Sequence, residues 1–185
     1  MSVTGGAHRL WAHRSFEAHQ LLRWFFAFGY TIAGQESILN WCHGHRVHHK
    51  WSDTDSDPHT TSRGFIFAHF GWIFATEHPD VARAESRIDI SDLWRDPVVR
   101  FHHRYYRYMY GLTLLLQVSA HVYFAGDSLF EAIIWIAVRI ICLYHEPSFV
   151  NSAAHMFGDR PYNPKIAAAE NIHVSIIAFG EGKKS

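Results

Sequence analysis

The chain has 185 residues, of which 48% are hydrophobic and 16% aromatic, so it is long enough for one domain with a core and too apolar to be disordered. Lysine plus arginine and aspartate plus glutamate are balanced at 17 each, so the charge balance does not favour nucleic acid as a partner. The chain holds 16 histidines, which is its unusual feature, and its two cysteines are too few for a disulfide framework.

The N-terminal residues 1–7 have neither the basic region nor the apolar region of a signal peptide. The stretch from Leu21 to Cys42 is apolar but is interrupted by Arg23, Gln35 and Glu36. Its uninterrupted part is shorter than the ~20 residues that span a bilayer. It therefore predicts one half-buried or interfacial helix over this stretch, with a core helix of a soluble protein as the alternative.

The stretch His43–His49 carries the strongest functional signal. In a helix, His45, His48 and His49 stand at i, i+3 and i+4, so their imidazoles project from one face. Neutral imidazole prefers iron, zinc, copper or nickel to calcium or magnesium. A histidine-rich solvated face is the alternative to a metal site.

Two other polar clusters favour the metal site. His8 and His13 stand five residues apart near the N-terminus, and Asn151 and His155 stand one helical turn apart near the other end. Three clusters of this kind predict one common centre.

Residues 51–64 form a polar turn in which Asp53, Asp55 and Asp57 alternate as in a calcium loop. The glycine and the closing glutamate of such a loop are missing, because Pro58 and Gly64 stand at those positions. We therefore expect these carboxylates to orient the histidines, since ligating imidazoles usually donate their other N–H to a carboxylate.

Two apolar runs follow. Tyr108 to Gly126 contains no acidic residue, lysine or arginine, and Leu129 to Phe149 contains Glu131 and Arg139. Together they predict a transmembrane helical hairpin, with the basic, tyrosine-rich flank before Tyr108 on the cytosolic side. A charged side chain within a span is costly, so we expect Arg139 to point toward protein.

This organisation predicts an all-α membrane protein in three parts. Residues 1–107 would form a cytosolic or interfacial cap, 108–150 the transmembrane hairpin, and 151–185 a second cytosolic segment. A hairpin returns the chain to its starting side, so all three clusters would face the same compartment.

Several motifs resemble those of the membrane-bound acyl-CoA desaturases of the stearoyl-CoA Δ9 type, including insect forms. The matching stretches are Gly6–Ser15, His45–Lys50, Asp57–His59, Arg63–Phe65, Gly71–Trp72, Asn151–His155 and Gly158–Tyr162. The likeness covers nearly the whole chain. Asn-Ser-Ala-Ala-His and Asp-Pro-His follow the desaturase pattern more closely than that of the related hydroxylases.

The resemblance implies a four-span fold in the endoplasmic reticulum membrane, with histidine boxes that face the cytosol. It implies two iron ions (Fe²⁺) as cofactors, and O2, fatty acyl-CoA, cytochrome b5 and membrane lipid as partners; it also allows a homo-oligomer and gives no role to nucleic acid. The implied reaction inserts a cis double bond into a saturated acyl chain.

The resemblance also implies a role for individual residues. Trp41 and Gln35 would shape the acyl tunnel, and Asn151 would act on the metal through water. The implied metal ligands are His8, His13, His45, His48, His49 and His155.

The chain departs from the family pattern in two respects. A third histidine box would follow Gly180–Gly182 and two transmembrane helices would precede His8, so we expect a chain that is truncated at both ends. The usual Asn-Ala-Thr-Trp before Asn151 reads His145-Glu146-Pro147-Ser148, which removes a tryptophan of the tunnel and predicts a helix break at Pro147. The alternative function is a non-catalytic paralogue or splice form that pairs with a complete desaturase.

Overall fold

A computed structural model describes residues 1–159 and 169–177. The end of the Gly158–Tyr162 motif and Gly180–Gly182 lie outside the described residues. The elements are a π-helical segment (Ser2–Ala12) and helices α1 (Gln20–Ala33), α2 (Ile38–Trp51), α3 (Phe65–His69), α4 (Pro79–Glu85), α5 (Ser91–Arg95), α6 (Pro97–Ala120), α7 (Leu129–Asn151), α8 (Ala153–Met156) and α9 (Ile172–Ile177). A second π-helical segment covers His121–Ala125, and 3-10 turns cover Thr61–Arg63 and Gly71–Ile73. The predicted helical class is confirmed.

The chain packs as two units. Unit 1 consists of Met1–Cys42 and Ile90–Leu143, and unit 2 of His43–Asp89 and the described residues from Tyr144 onward. The core of unit 1 is formed by buried side chains of the first π-helical segment and helices α1, α2, α5 and α6, among them Trp11, Phe26, Tyr30, Ile38, Leu93, Val98 and Val99. The three-part division into cap, hairpin and second cytosolic segment concerns membrane compartments and stays a prediction.

The prediction of one continuous helix from Leu21 to Cys42 is wrong. Helix α1 ends at Ala33, and Gly34 adopts a left-handed conformation with φ 76°. A side chain at this position would be strained, and its Cβ would lie 2.8 Å from the Tyr110 ring. Glu36 also has a positive φ of 65°, so the chain turns twice before α2 begins at Ile38.

Two neighbouring histidines of α6 hold this turn. His102 is fully buried, and its Nδ1 accepts a hydrogen bond from the Ile38 N–H at 3.2 Å. Its Nε2–H therefore faces Thr31 Oγ1 at 3.1 Å. His103 Nδ1 lies 2.8 Å from Ser37 Oγ. The neutral form of His102 is thus required for the start of α2.

This requirement makes the stability of the chain depend on pH. Burial, with a smaller contribution from His103, lowers the pKa of His102 from 6.5 to about 4. Between these values the unfolded chain binds a proton that the native state does not bind, so stability is complete above pH 6.5 and falls as the pH decreases. We expect a loss of up to about 3 kcal/mol in the free energy of unfolding. Denaturant titrations at several pH values in detergent would measure it.

The matched control is His102→Gln, which keeps an amide acceptor and donor but has no proton to gain. This part of the pH dependence should be absent in the variant. Equal slopes in the two chains would contradict the assignment.

Helix α6 begins at a buried carboxylate. Asp96 is its N-cap and accepts hydrogen bonds from Val98 N at 2.9 Å and Val99 N at 3.5 Å, with Pro97 at the first helical position. The Trp11 indole N–H donates to the same carboxylate at 2.7 Å, and the Arg23 guanidinium pairs with it. The Asp96 side chain thus connects the start of α6 with α1, through Arg23, and with the first π-helical segment, through Trp11.

The two apolar runs fall on α6 with the second π-helical segment, and on α7. Within the described residues, no helix is long and apolar enough to qualify as a membrane span. The hairpin and its orientation stay predictions. Arg139 donates to Ile32 O at 2.7 Å, so its guanidinium points toward protein as expected.

The predicted helix break at Pro147 is wrong, because α7 continues to Asn151. Proline has no N–H, so the Leu143 carbonyl loses its helical donor. The buried side chain of Gln35 replaces that donor, since its Nε2 donates to Leu143 O at 2.8 Å. The helix therefore passes through Pro147 without leaving this carbonyl unsatisfied.

This replacement can be tested with a double-mutant cycle. Gln35→Leu removes the substitute donor and should cost about 1–3 kcal/mol in the free energy of unfolding, because a partly buried carbonyl is left unsatisfied. In a Pro147→Ala chain the N–H of residue 147 becomes available to Leu143 O, so the same change should cost less. Additive effects in the cycle would refute the coupling.

Candidate metal centre

The histidines of α2 lie on one face of the helix. The ring centroids of His45 and His49 are 4.5 Å apart, those of His48 and His49 are 5.5 Å apart, and those of His45 and His48 are 6.4 Å apart. His48 is buried, whereas His49 is exposed. The three rings stand together, as their spacing predicts, in the last turns of the helix.

The turn after α2 supplies a carboxylate to His48. Its Nδ1 lies 2.9 Å from each oxygen of Asp57, which is buried and also accepts from the backbone N–H groups of Asp53 and His59 at 2.8 and 3.1 Å. Burial raises the pKa of Asp57, although His59 and the backbone donors oppose the shift. Because a carboxylate only accepts, the proton of His48 lies on Nδ1 and the lone pair on Nε2.

The same turn supplies a second carboxylate to His155. Asp53 Oδ2 lies 2.9 Å from His155 Nδ1, while Asp53 Oδ1 accepts from the Thr61 N–H at 3.0 Å and the Thr61 hydroxyl at 2.5 Å. Burial alone would raise the pKa of Asp53, but the hydrogen bonds from His155 and Thr61 outweigh it and hold the pKa well below its usual value. Asp53 is therefore ionised and fixes the His155 ring through its Nδ1.

These two pairs meet in unit 2. The ring centroids of His48 and His155 are 5.0 Å apart, and both side chains are buried. Each ring has its Nδ1 bound to a carboxylate that comes from one short turn. With Nδ1 of each ring directed to a carboxylate, Nε2 is the nitrogen that each ring would present to a transition metal.

Asp57 itself is better placed to orient His48 than to bind metal. It forms a close group with His48 and His59 whose ligand atoms lie within 4.8 Å of one another. However, its oxygens already accept from the His48 ring and from two backbone N–H groups. A metal at these oxygens would displace the bond that fixes His48.

His59 belongs to this centre although its sequence position gave it no predicted role. Its ring lies 4.2 Å from His48 and 5.4 Å from Trp72, between centroids. Burial, followed by the proximity of His48, lowers its pKa to about 3, so it is neutral. Among the residues that the structure describes, its Nδ1 has no hydrogen-bond partner, and it lies 3.5 Å from Asp57 Oδ1. The sequence feature that could have identified His59 is its position in Asp57-Pro58-His59, one of the stretches that carry the family resemblance.

In unit 1, His8 and His13 come together because their segment is π-helical. A π-helix bonds residue i to i+5, and the His13 N–H donates to His8 O at 2.9 Å. The two ring centroids are 4.5 Å apart. Residues five apart would lie on different faces of an α-helix. The π-helix thus explains why two histidines five residues apart lie side by side.

Trp41 and Asn151 occupy helical positions. Trp41 lies on α2, partly buried, with its ring 6.4 Å from His8 and 6.4 Å from Tyr30. Asn151 is the last residue of α7, and Ser152 separates it from α8, which carries His155. The side-chain amide of Gln35 donates a hydrogen bond to Leu143 O.

The comparison with known proteins decides the family. The model of the fatty acid desaturase family matches residues 1–182. The chain is a member of the fatty acid desaturase family.

Individual relatives of the chain are also desaturases. A Delta(9)-fatty-acid desaturase of Caenorhabditis elegans is 41% identical over 182 residues, covering 97% of this chain and 54% of the relative. An acyl-CoA Delta(11) desaturase of Spodoptera littoralis is 40% identical over 183 residues, covering 98% and 54%. The human stearoyl-CoA desaturase is 41% identical over 185 residues, covering 98% and 51%. The chain thus spans about half the length of these relatives.

The role of Asp53 can be tested in this desaturase chain with Asp53→Asn. Asparagine tolerates the φ of 61° at this position, so the backbone should be kept. The amide oxygen of asparagine can accept the hydrogen bonds from Thr61, so the amide nitrogen then faces His155 Nδ1. Because this nitrogen is a donor, His155 Nδ1 must accept and the imidazole proton moves to Nε2. We expect the affinity for Co²⁺, measured by titration in detergent, to fall about 10–100-fold.

The matched control is Asp55→Asn, which changes an exposed carboxylate of the same turn. This variant should bind Co²⁺ as the unsubstituted chain does. Equal losses in the two variants would show that charge, and not the orientation of His155, controls metal binding.

Proposed function

We propose that this chain is part of an acyl-CoA desaturase that inserts a cis double bond into a saturated fatty acyl chain, using O2 and two iron ions. The observation that carries the proposal is the pair of buried histidines, each fixed by a carboxylate of the same turn, in a member of the desaturase family. The named substrates of the relatives, stearoyl-CoA among them, support an acyl-CoA as the substrate class.

The residues present fit iron. When bound, iron together with O2 supplies the oxidising power to break the C–H bonds of an unactivated methylene. All-imidazole donors suit a first-row transition metal and exclude a site designed for calcium or magnesium. The ligand set that the resemblance implies is part of this proposal, with Asn151 acting through water: His8, His13, His45, His48, His49 and His155.

The side chains of unit 2 do three things for such a centre. His48 and His155 offer Nε2, Asp57 and Asp53 hold the Nδ1 protons, and burial limits the access of water. Asp57 is itself oriented by backbone N–H groups of the same turn. The imidazoles are therefore oriented before a metal arrives, which lowers the cost of binding it.

The acyl chain would pass Trp41 and Gln35, which the resemblance assigns to the tunnel. The partial burial of Trp41 and its ring contacts with His8 and Tyr30 support an apolar wall next to a predicted ligand. Gln35 Oε1 is buried and has no hydrogen-bond partner within the described part of the chain, so it is a polar atom that could meet a substrate or water at this wall.

We further propose a multi-pass location in the endoplasmic reticulum membrane, with the histidine boxes facing the cytosol and cytochrome b5 as the electron donor. The predicted hairpin of Tyr108–Gly126 and Leu129–Phe149 belongs to this proposal. Large apolar side chains exposed in unit 1 support contact with lipid: Leu112, Leu115, Leu116, Phe130, Ile133, Trp135 and Ile141.

The proposal can be tested in desaturase-deficient yeast that expresses the longest natural form containing this chain. His48→Ala should abolish the formation of monounsaturated acyl chains, because it removes an oriented ligand. His19→Ala should leave the activity nearly unchanged, since the exposed His19 only caps α1 through a bond from Leu21 N at 3.4 Å. Gas chromatography of acyl esters and iron analysis of the purified protein would measure both effects.

Two outcomes would contradict the proposal. Equal effects of His48→Ala and His19→Ala would mean that the ligand set is wrong. Full activity in a preparation without iron would exclude the metal chemistry.

A further inference from the structure

A chain of hydrogen bonds separate from the carboxylate–histidine pairs runs inward through unit 2. It begins at the exposed His145, whose Nδ1 lies 2.8 Å from Nε2 of the buried His69. His69 Nδ1 lies 2.8 Å from Oγ of the fully buried Ser152, which in turn donates to Ser148 O at 2.7 Å. Neither histidine has a role in the proposed metal chemistry.

The partners fix the direction of each bond. Ser148 O can only accept, so the Ser152 hydroxyl proton is directed to it and Ser152 Oγ accepts from His69 Nδ1–H. A neutral imidazole has one N–H, so His69 Nε2 accepts a hydrogen bond from His145 Nδ1–H. Burial, followed by the proximity of His145, lowers the pKa of His69 and favours this neutral form.

These directions exclude a nucleophilic role for Ser152. An activating histidine must accept the serine proton, whereas His69 donates to this oxygen. Ser152 is also inaccessible to solvent. The serine is held in place and not activated.

The held residue lies between two functional positions. Ser152 directly follows Asn151, and its carbonyl accepts from the His155 N–H at 3.2 Å and the Met156 N–H at 3.1 Å, so it starts the short helix α8. A four-residue helix has little stability of its own. The orientation of His155 therefore depends on how Ser152 is fixed.

His69 is suited to fix it because its own ring is held. It is the last residue of α3, and its ring stacks on Phe65 with the ring centroids 5.3 Å apart. The ring centroid of Phe149, on α7, lies 4.7 Å from that of His69. His145 forms the hydrogen bond at the second ring nitrogen of His69, Nε2. The three side chains link α3 to the junction of α7 and α8.

We propose that His69 and His145 are positioning residues of the metal centre, which act through Ser152 on the segment that carries Asn151 and His155. This inference rests on the proposed function, because it concerns the same centre. His145 stands where the resemblance expects an asparagine, and an asparagine would place a side-chain N–H close to the position of His145 Nδ1. The essential feature is therefore the donor at this position and not the imidazole.

The test compares two amides at residue 145. The side-chain nitrogen of asparagine corresponds in reach to Nδ1 of histidine, and that of glutamine corresponds to Nε2. His145→Asn should keep the Co²⁺ affinity of the detergent-purified chain within about twofold. His145→Gln and His145→Ala should lower it about three- to tenfold, less than the loss of a direct ligand partner, because the effect passes through two side chains. His173→Gln, an exposed change on α9, is the control.

The Co²⁺ absorption spectrum and the unfolding temperature of each variant separate positioning from stability. A purely structural role would lower the unfolding temperature and leave the affinity and spectrum of the folded chain unchanged, which would overturn the inference. Equal binding by the asparagine and glutamine variants would overturn it too. If the unsubstituted chain bound no Co²⁺, the proposed metal centre would be refuted, and the positioning role with it.

Discussion

The interaction on which unit 2 depends is the hydrogen bond from imidazole Nδ1 to a buried carboxylate, made twice from one short turn. Asp57 bonds to His48, and Asp53 bonds to His155, which is distant in the sequence. The two carboxylates are linked, because the Asp53 N–H donates to Asp57 at 2.8 Å. A displacement of one carboxylate therefore affects the other pair through the backbone of Asp53.

This linkage has a conformational cost. Asp53 adopts a φ of 61°, which is unfavourable for most residues and is tolerated by aspartate and asparagine. The strained residue is held by the Thr61 bonds and by His155. Strain of this kind persists only where several contacts over-determine the geometry, which is the condition that a preoriented metal site requires.

Much of this centre could be read from the sequence, because it depends on local spacing. The i, i+3, i+4 histidines of α2 share a face whatever surrounds them. The alternating aspartates without a calcium-loop glycine indicated an orienting role, which the hydrogen bonds show for Asp53 and Asp57, whereas Asp55 is exposed. The family could also be identified, since its motifs are contiguous.

The remaining features depend on tertiary contacts. The break at Gly34 is stabilised by His102 and His103, which lie far along the chain, so the apolar pattern alone predicted one helix. The burial of His59 depends on Trp72 and His48. The π-helix of residues 2–12 was not predicted, because no periodicity rule distinguishes it from an α-helix.

The stretch His145–Ser148 shows how tertiary contacts can compensate for departures from a family pattern. Proline at 147 removes a backbone donor, and Gln35, a residue assigned to the tunnel, supplies another. His145 stands where the resemblance expects an asparagine and donates its Nδ1–H to His69. Ser148 stands where the resemblance expects a tryptophan, and its hydroxyl donates to Tyr144 O at 2.7 Å while its carbonyl accepts from Ser152.

The departures at His145, Pro147 and Ser148 therefore change which groups are polar, and a hydrogen bond accompanies each of them. The helix continues to Asn151, and Ser152 remains fixed at the start of α8. What the stretch loses is the volume of the tryptophan side chain, which the resemblance places in the acyl tunnel. The physical consequence of these departures is thus expected in the shape of the substrate path, whereas the orientation of His155 is maintained by the contacts of Asp53, Ser152 and His69.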